Sequence, residues 1–526
     1  MTISQTIIDF THKCLQQGDL LELDLTYVQN QLLRIFHLKE LDQVDPSANL
    51  AQLDRLDLLD QLLDHAVDLD LIEDNSSNRD VLGAEIMDLV TPLPSQVNAK
   101  FWDLHRLSPK LATDYFYQTS LQNNYIKSRE IAQNIYFSHQ TDFGDLELTI
   151  NLSKPEKTSK EIEEAKNNPS DYPVNLLSYQ NEGYRGHVGH PGRSNHRLIR
   201  LTLDNGEQWG FQYSPYAYYN EHSIFLSMAH RPMKVGKQTV VNLLNILEEF
   251  PHYFVGSNAG LPIVGGSILA HDHYQAGRHQ FALDTAPSIY DFTLKGVQAS
   301  IVNWPMSVIR LKDPDRNKLT QAAQVVFQEW ESYSNEDLSI QAFTGETPHN
   351  AITPLTRKDG IDFVVDLVLR NNRTDKTYPD GIFHPHPEVQ HIKQENIGLI
   401  EVLGLAVLPP RLKGELQEVR DYLLGQTGQV ATIHQAWAES LKEKYGILSP
   451  EEVDGVVQAE VGEKFLQVLK DAGVFKLDQA GQAAFKAFAD DLAQHEWRSQ
   501  AKIKRMKVSL WKLWPLIHQT RPWPWP

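Results

Sequence analysis

The spacing of apolar residues changes along the chain, and each change predicts a different element. In LDRLDLLDQLLDHAVDLD, Leu53, Leu56, Leu59 and Leu63 recur at helical spacing with Asp residues between them. This predicts a packed helical subdomain over residues 1–100 with a solvated acidic face, ending at Pro92 and Pro94; an acidic binding arm is the alternative. From Asp145 the period falls to two. Leu146, Leu148, Ile150 and Leu152 alternate with Asp145, Glu147, Thr149 and Asn151, the pattern of a half-buried strand. Thr158 followed by Glu161 predicts a capped helix, closed by the stretch from Pro169 to Pro173. HRLIRLTL and EQWGFQYS flank Asp204, Asn205 and Gly206, which predicts an antiparallel hairpin. NEHSIFLSMAHRP reads as a strand ending near His230, and Val240, Leu243, Leu244 and Leu247 mark one face of the helix after it.

A second strand-rich stretch runs from about residue 300 to 410 and includes DFVVDLVLR and GLIEVLGLAVLPP. Beyond Pro409 and Pro410 the helical period returns. Strands and helices in no regular alternation indicate an α+β fold rather than a doubly wound sheet. The tail KIKRMKVSLWKLWPLIHQTRPWPWP is basic and aromatic; a strap docked on the acidic body is expected, a membrane or nucleic-acid element being the alternative.

Composition narrows the function classes. The 526 residues predict about three structural units, and 49 Lys and Arg against 68 Asp and Glu leave a net charge of -19. Such acidity disfavours general binding to nucleic acid or anionic membranes. The N-terminus lacks a basic start followed by an apolar core, so a cytoplasmic protein is expected. Cys14 is the one cysteine, which excludes an internal disulfide and any Cys-x-x-Cys site.

The stretch most charged with chemistry is GGSILAHDHYQ, residues 265–275. On a strand, His271, His273 and Gln275 face one way and converge on one pocket. Gly265, Gly266 and Ser267 supply close backbone approach and a hydroxyl suited to a phosphate oxygen. Spacing alone leaves three readings open for the two histidines: metal ligands, a nucleophile with a phosphate site, or structural groups. In HPGRSNHR, Arg193, Asn195 and Arg197 form a positive cluster in an acidic chain, read either as substrate contacts or as an ordinary surface strand.

Context separates these readings. EHSIFLSMAHRP, a helix, VGSNAG and GGSILAHDHYQ follow one another as in the histidine-triad superfamily, and G-x-S-x-x-H-x-H-x-Q resembles the active-site motif of galactose-1-phosphate uridylyltransferases. LTINLSKPEK, QNEGYRGHVGHPGRSNHR, QYSPYAYYNEHS and HPHPEVQHIKQENIGLIEVLGLAVLPPRL are similar to the class II, firmicute-type branch, so the resemblance spans residues 148–411. It implies an antiparallel-sheet core of two histidine-triad-like halves, over 101–300 and 301–410, between helical regions at 1–100 and 411–526. It also implies ping-pong transfer: His273 attacks the α-phosphorus of UDP-glucose and expels glucose 1-phosphate, and galactose 1-phosphate then takes the uridylyl group to give UDP-galactose. Two alternatives remain: a related nucleotidyltransferase or phosphorylase with other substrates, and a non-catalytic nucleotide-sugar binding protein.

The residue types suit this chemistry. A neutral imidazole is a nucleophile near pH 7 if its other nitrogen is held, and a backbone carbonyl near residues 265–271 is the expected partner. Ser267 and Gln275 would donate to the phosphate oxygens, with Gly266 beneath them, and Asn258 matches the superfamily's asparagine near ribose or phosphate. Gln275 in place of a third histidine favours transfer over hydrolysis, because a sugar phosphate leaves and attacks as an anion and needs no proton. His384-Pro385-His386 lacks the preceding G-x-S and the following Gln, so it is read as a metal-binding or structural pair. The resemblance implies a structural zinc held by two cysteines with histidines in class I relatives and a Cys-x-x-Cys before Asn-Glu-Gly-Tyr in many class II sequences; here Asn175 and Ser178 stand in YPVNLLSYQNEGY, which excludes a Cys-x-x-Cys zinc site and leaves any other structural metal open. The resemblance also allows a homodimer.

Overall fold

The computed structural model describes residues 1–153, 171–266 and 268–494. The helix expected after Thr158, the Ser267 hydroxyl and the basic aromatic tail lie outside these residues.

The N-terminal helices Ile3–Gln17, Leu25–Ile35, Arg55–Asp68 and Ser76–Asp88 enclose a core of their own that includes Ile7, Phe10, Leu32, Leu62 and Ile86. Asp54 caps the third helix by accepting from the Leu56 and Asp57 amides, so Leu53 lies ahead of it and the buried stripe is Leu58, Leu59, Leu62 and Leu63. After Pro92 the helices Pro94–His105 and Pro109–Gln122 leave that core and pack Val97, Phe101, Ala112 and Phe116 against the main sheet.

The strands in chain order are β1 (Ile135–Thr141), β2 (Gly144–Ile150), β3 (Ile199–Thr202), β4 (Gln208–Tyr213), β5 (Ser223–Ser227), β6 (Phe254–Gly256) and β7 (His273–Gly277). They continue with β8 (Ser288–Leu294), β9 (Val297–Val302), β10 (Val308–Asp313), β11 (Phe343–Thr344), β12 (Thr347–Pro348), β13 (Asn350–Asp359), β14 (Asp362–Asn371) and β15 (Leu405–Leu408). The two-residue period over 145–152 produces β2, with Leu146, Leu148 and Ile150 buried. The Asp204–Gly206 turn joins β3 to β4 as an antiparallel hairpin, with Gly206 at φ +81°.

Ten strands form one sheet in the order β3-β4-β5-β7-β6-β13-β14-β10-β9-β8. Each half repeats one plan, in which the fifth strand inserts between the third and fourth, and the halves meet where Gly256 pairs with Leu355. In each half a helix, Lys237–Glu249 or Arg316–Ser332, joins the third strand to the fourth, and both pack into the same core. In the sheet the divide between halves falls between Gly277 and Ser288, because β8 and β9 pair into the second half.

A second core covers the other face. It holds the sheet β1-β2-β15 and the helices Leu412–Leu423, Gln435–Tyr445 and Val453–Ala472. GLIEVLGLAVLPP is not one strand: it forms the short helix Leu399–Val402 and then β15, which runs parallel to β2. Among the described residues no helix is long and apolar enough to cross a membrane.

Candidate active site

Pleating decides what β7 presents to each side. Tyr274 and Ala276 enter the helix-side core, where Tyr274 stacks on Trp209 at 4.7 Å and its hydroxyl accepts from Asn242 Nδ2 at 3.0 Å. His273 and Gln275 therefore face the opposite side. The His273 Nδ1 lies 2.8 Å from the His271 carbonyl oxygen. A carbonyl only accepts, so Nδ1 carries the proton and Nε2 keeps its lone pair. Burial lowers the His273 pKa to about 4, against the smaller opposing effect of that hydrogen bond.

From the end of β5 the chain keeps contact with the residue that leads into β7: the Ser227 amide donates to Asp272 O at 3.0 Å, and the Asp272 amide to Arg231 O at 2.8 Å. Two glycines fit the preceding loop against its neighbour. A Cβ on Gly265 would lie 2.5 Å from both the Ala259 and Leu261 carbonyl oxygens, and one on Gly266 would lie 2.4 Å from Asn258 Nδ2. The Asn258 Oδ1 accepts from the Leu399 amide at 2.8 Å, which ties the loop to the helix Leu399–Val402.

The Gln275 carboxamide oxygen is buried with no hydrogen-bond partner, and so is His222 Nδ1. Burial lowers the His222 pKa to about 4, partly offset by a contact with Gln275. Ile224 pairs with Gln275, which puts His222, two residues earlier, on the same face. Sequence reading missed His222. Its signal is the alternation in NEHSIF, which points at the site only once β5 is known to pair with β7.

Other expected site residues lie elsewhere. The His271 ring is engaged by protein atoms: Nε2 donates to Ser227 O at 3.0 Å and Nδ1 faces His230 Nδ1 at 3.1 Å, so what this residue gives His273 is its backbone carbonyl. Asn195 exchanges reciprocal amide-to-carbonyl bonds with Asn123, both 2.7 Å. Arg197, 5% exposed, donates to Asp88 and to the carbonyls of Pro92, Thr91, Ser194 and His196. Both side chains are committed to bracing the N-terminal helices against the sheet, which corrects the expectation that they contact substrate. Arg193 is half-buried, 5.6 Å from the centre of the Tyr125 ring, and bonds the neighbouring Gly192 carbonyl.

His384 and His386 do not occupy a strand. His386 Nε2 donates to Ile382 O at 3.0 Å, and its ring stacks on Tyr378 at 4.1 Å. Strand order shows what the second half carries in place of the motif. β14 takes the place of β7 in the order of the second half, and its sequence DFVVDLVLRN carries no histidine or glutamine. Burial would raise the fully buried Asp366 carboxyl, but Arg357 and Arg310 hold it below the usual carboxylate range.

Beside the turn at Asn175 two imidazoles converge. Asn175 Nδ2 lies 3.1 Å from His230 Nδ1 and 3.5 Å from His271 Nδ1. Their chemistry does not suit a cation, however. Asn175 Oδ1 accepts from the Leu177 amide at 2.8 Å, so the NH2 end faces the imidazoles, and Ser178 Oγ is taken up by Gln180. Among the described residues no three His, Cys, Asp or Glu side chains form a group able to hold a metal ion.

Two family models match the chain: the galactose-1-phosphate uridyl transferase N-terminal domain over residues 21–232 and the C-terminal domain over 246–439. A galactose-1-phosphate uridylyltransferase of Pediococcus pentosaceus is 55% identical over 469 residues, 89% of this chain and 95% of the relative. One from Lactiplantibacillus plantarum is 54% identical over 471 residues, again 89% and 95% of the two chains. One from Enterococcus faecalis is 50% identical over 490 residues, 92% of this chain and 98% of its own. Among solved structures, a yeast Ap4A phosphorylase aligns with 66% of this chain and 95% of its own at 10% identity, with a TM-score of 0.32, too slight a likeness to carry an argument.

Proposed function

The chain belongs to the galactose-1-phosphate uridyl transferase family, and from that premise we propose that it exchanges a uridylyl group between glucose 1-phosphate and galactose 1-phosphate through a covalent adduct on His273. The observation that carries the reading is the hydrogen bond from His273 Nδ1 to the His271 carbonyl, which leaves Nε2 as a neutral nucleophile. Nε2 attacks the α-phosphorus of UDP-glucose. A P–N bond forms, the bond to the bridging oxygen breaks, and glucose 1-phosphate leaves as an anion. A phosphate oxygen of galactose 1-phosphate then attacks the same phosphorus, the P–N bond breaks, and UDP-galactose leaves with the imidazole neutral again.

No group need give or take a proton in either half-reaction, which fits a site with Gln275 beside the nucleophile and no third histidine on the strand. The Gln275 NH2 and the Ser267 hydroxyl are the proposed donors to the phosphate oxygens, and Gly266 packs the loop against Asn258. Asn258 supports that loop from behind, and Arg193 is the one member of the HPGRSNHR cluster retained as a candidate anion contact.

Rapid mixing with UDP-glucose alone tests the proposal. A burst of glucose 1-phosphate equal to the enzyme concentration is expected, with further release only when galactose 1-phosphate is added. Continuous release of UMP in water would instead identify a hydrolase.

A further inference from the structure

The turn over residues 174–181 is closed by side-chain amides and a hydroxyl. The Val174 amide donates to Gln180 Oε1 at 3.0 Å, and Asn181 Nδ2 donates to the Asn175 and Ser178 carbonyls, each at 2.8 Å. What joins this turn to the catalytic strand is Asn175. Its Oδ1 is fixed by the Leu177 amide, so the orientation of the carboxamide is set, and its NH2 group lies 3.1 Å from His230 Nδ1 and 3.5 Å from His271 Nδ1. His271 Nε2 donates to Ser227 O, so His271 Nδ1 presents a lone pair to that amide.

We propose that Asn175 is a positioning residue whose NH2 group does, by hydrogen bonding, what a structural cation would do at this point: it gathers two imidazole nitrogens 3.1 Å apart and so fixes the His271 backbone on which His273 depends. A cation there would need a lone pair from each imidazole, whereas a hydrogen bond between the two Nδ1 atoms, 3.1 Å apart, requires one of them to carry a proton, which the amide tolerates. The amide keeps its N–H groups where a cation would need further acceptors, so it replaces the metal and also bars it. The link from Asn175 runs through the His271 ring to the His271 carbonyl and from there to the His273 tautomer. The catalytic part of this inference rests on the reading of His273 as nucleophile; the metal-binding part does not.

The test uses the full-length protein, stripped with a chelator, dialysed against zinc chloride and then buffer, and measured for bound zinc by mass spectrometry. The wild type is expected to hold well under one equivalent. Asn175→Asp keeps the shape and the acceptor for the Leu177 amide but turns the NH2 into a carboxylate oxygen, and is expected to take up about one zinc per chain, with uptake lost in a second variant that also carries His230→Ala. Asn175→Cys provides the same readout should the Asp variant fold poorly. In the stripped protein, Asn175→Ala is expected to lower kcat about 10- to 100-fold with little change in KM, the scale typical of groups that orient a reacting side chain. Stoichiometric zinc in the wild type that disappears in His230→Ala would overturn the proposal, as would failure of folded Asp and Cys variants to take up zinc. Zinc uptake is read without turnover, so its outcome is separate from whether His273 forms an adduct.

Discussion

At the scale of the residue, the imidazole of His273 sets the terms. In the proposed mechanism its neutral form is the nucleophile, and burial moves its pKa from 6.5 down to about 4. Protonation that would silence an exposed histidine below pH 6.5 is thus deferred to near pH 4. The rate of glucose 1-phosphate release in the burst should stay nearly flat from pH 8 to about 5 and fall only below that, provided the protein remains folded. A fall centred near pH 6.5 would mean that the group is solvated or is not the nucleophile. His222 acts one contact further out. It stands on the same face of the sheet as Gln275 and in contact with it. Gln275→Met should cost about 100-fold in kcat as a lost transition-state donor, and His222→Phe about tenfold by letting that donor rotate; the double variant should then be no worse than Gln275→Met alone. The His-x-His-x-Gln motif is legible in sequence because a two-residue period is local. The fates of Asn195 and Arg197 are not, because their partners Asn123 and Asp88 lie 72 and 109 residues away.

At the scale of the element, the glycine-rich loop is held by shape. Gly266 touches Asn258, whose oxygen is already bonded to the helix Leu399–Val402, so a methyl group at 266 has to move a side chain that is anchored on its far side. Gly266→Ala is expected to cost about 1–3 kcal/mol of stability, the range for overpacking, and to slow adduct formation more than Gly236→Ala, where nothing lies within 4 Å of the added methyl; urea unfolding and burst kinetics would compare the two. Local pattern predicts β2, the β3–β4 hairpin and the helix Lys237–Glu249, since each has its own period and turn signals. It fails at GLIEVLGLAVLPP because the apolar run serves two elements, separated at Gly404 with φ +105°. The pairing of β15 with β2, whose residues are more than 250 positions apart, leaves no local trace.

At the scale of the whole molecule, one plan is used twice in a ten-stranded sheet, and only the first copy carries the His-x-His-x-Gln motif. In the second copy β14 carries no histidine or glutamine, and its Asp366 holds Arg310 and Arg357. The resemblance to two histidine-triad-like halves anticipates this duplication, but not that His384 and His386 fall outside the equivalent strand. The account predicts one reactive histidine in a chain with 21. The most direct measurement is to quench the enzyme with UDP-glucose labelled in its α-phosphate, digest it, and map the acid-labile label by mass spectrometry. The label should lie on His273 alone, be absent in His273→Ala and persist in His386→Ala. Label on His386 or His271, or a chain that turns over without a covalent adduct, would contradict it.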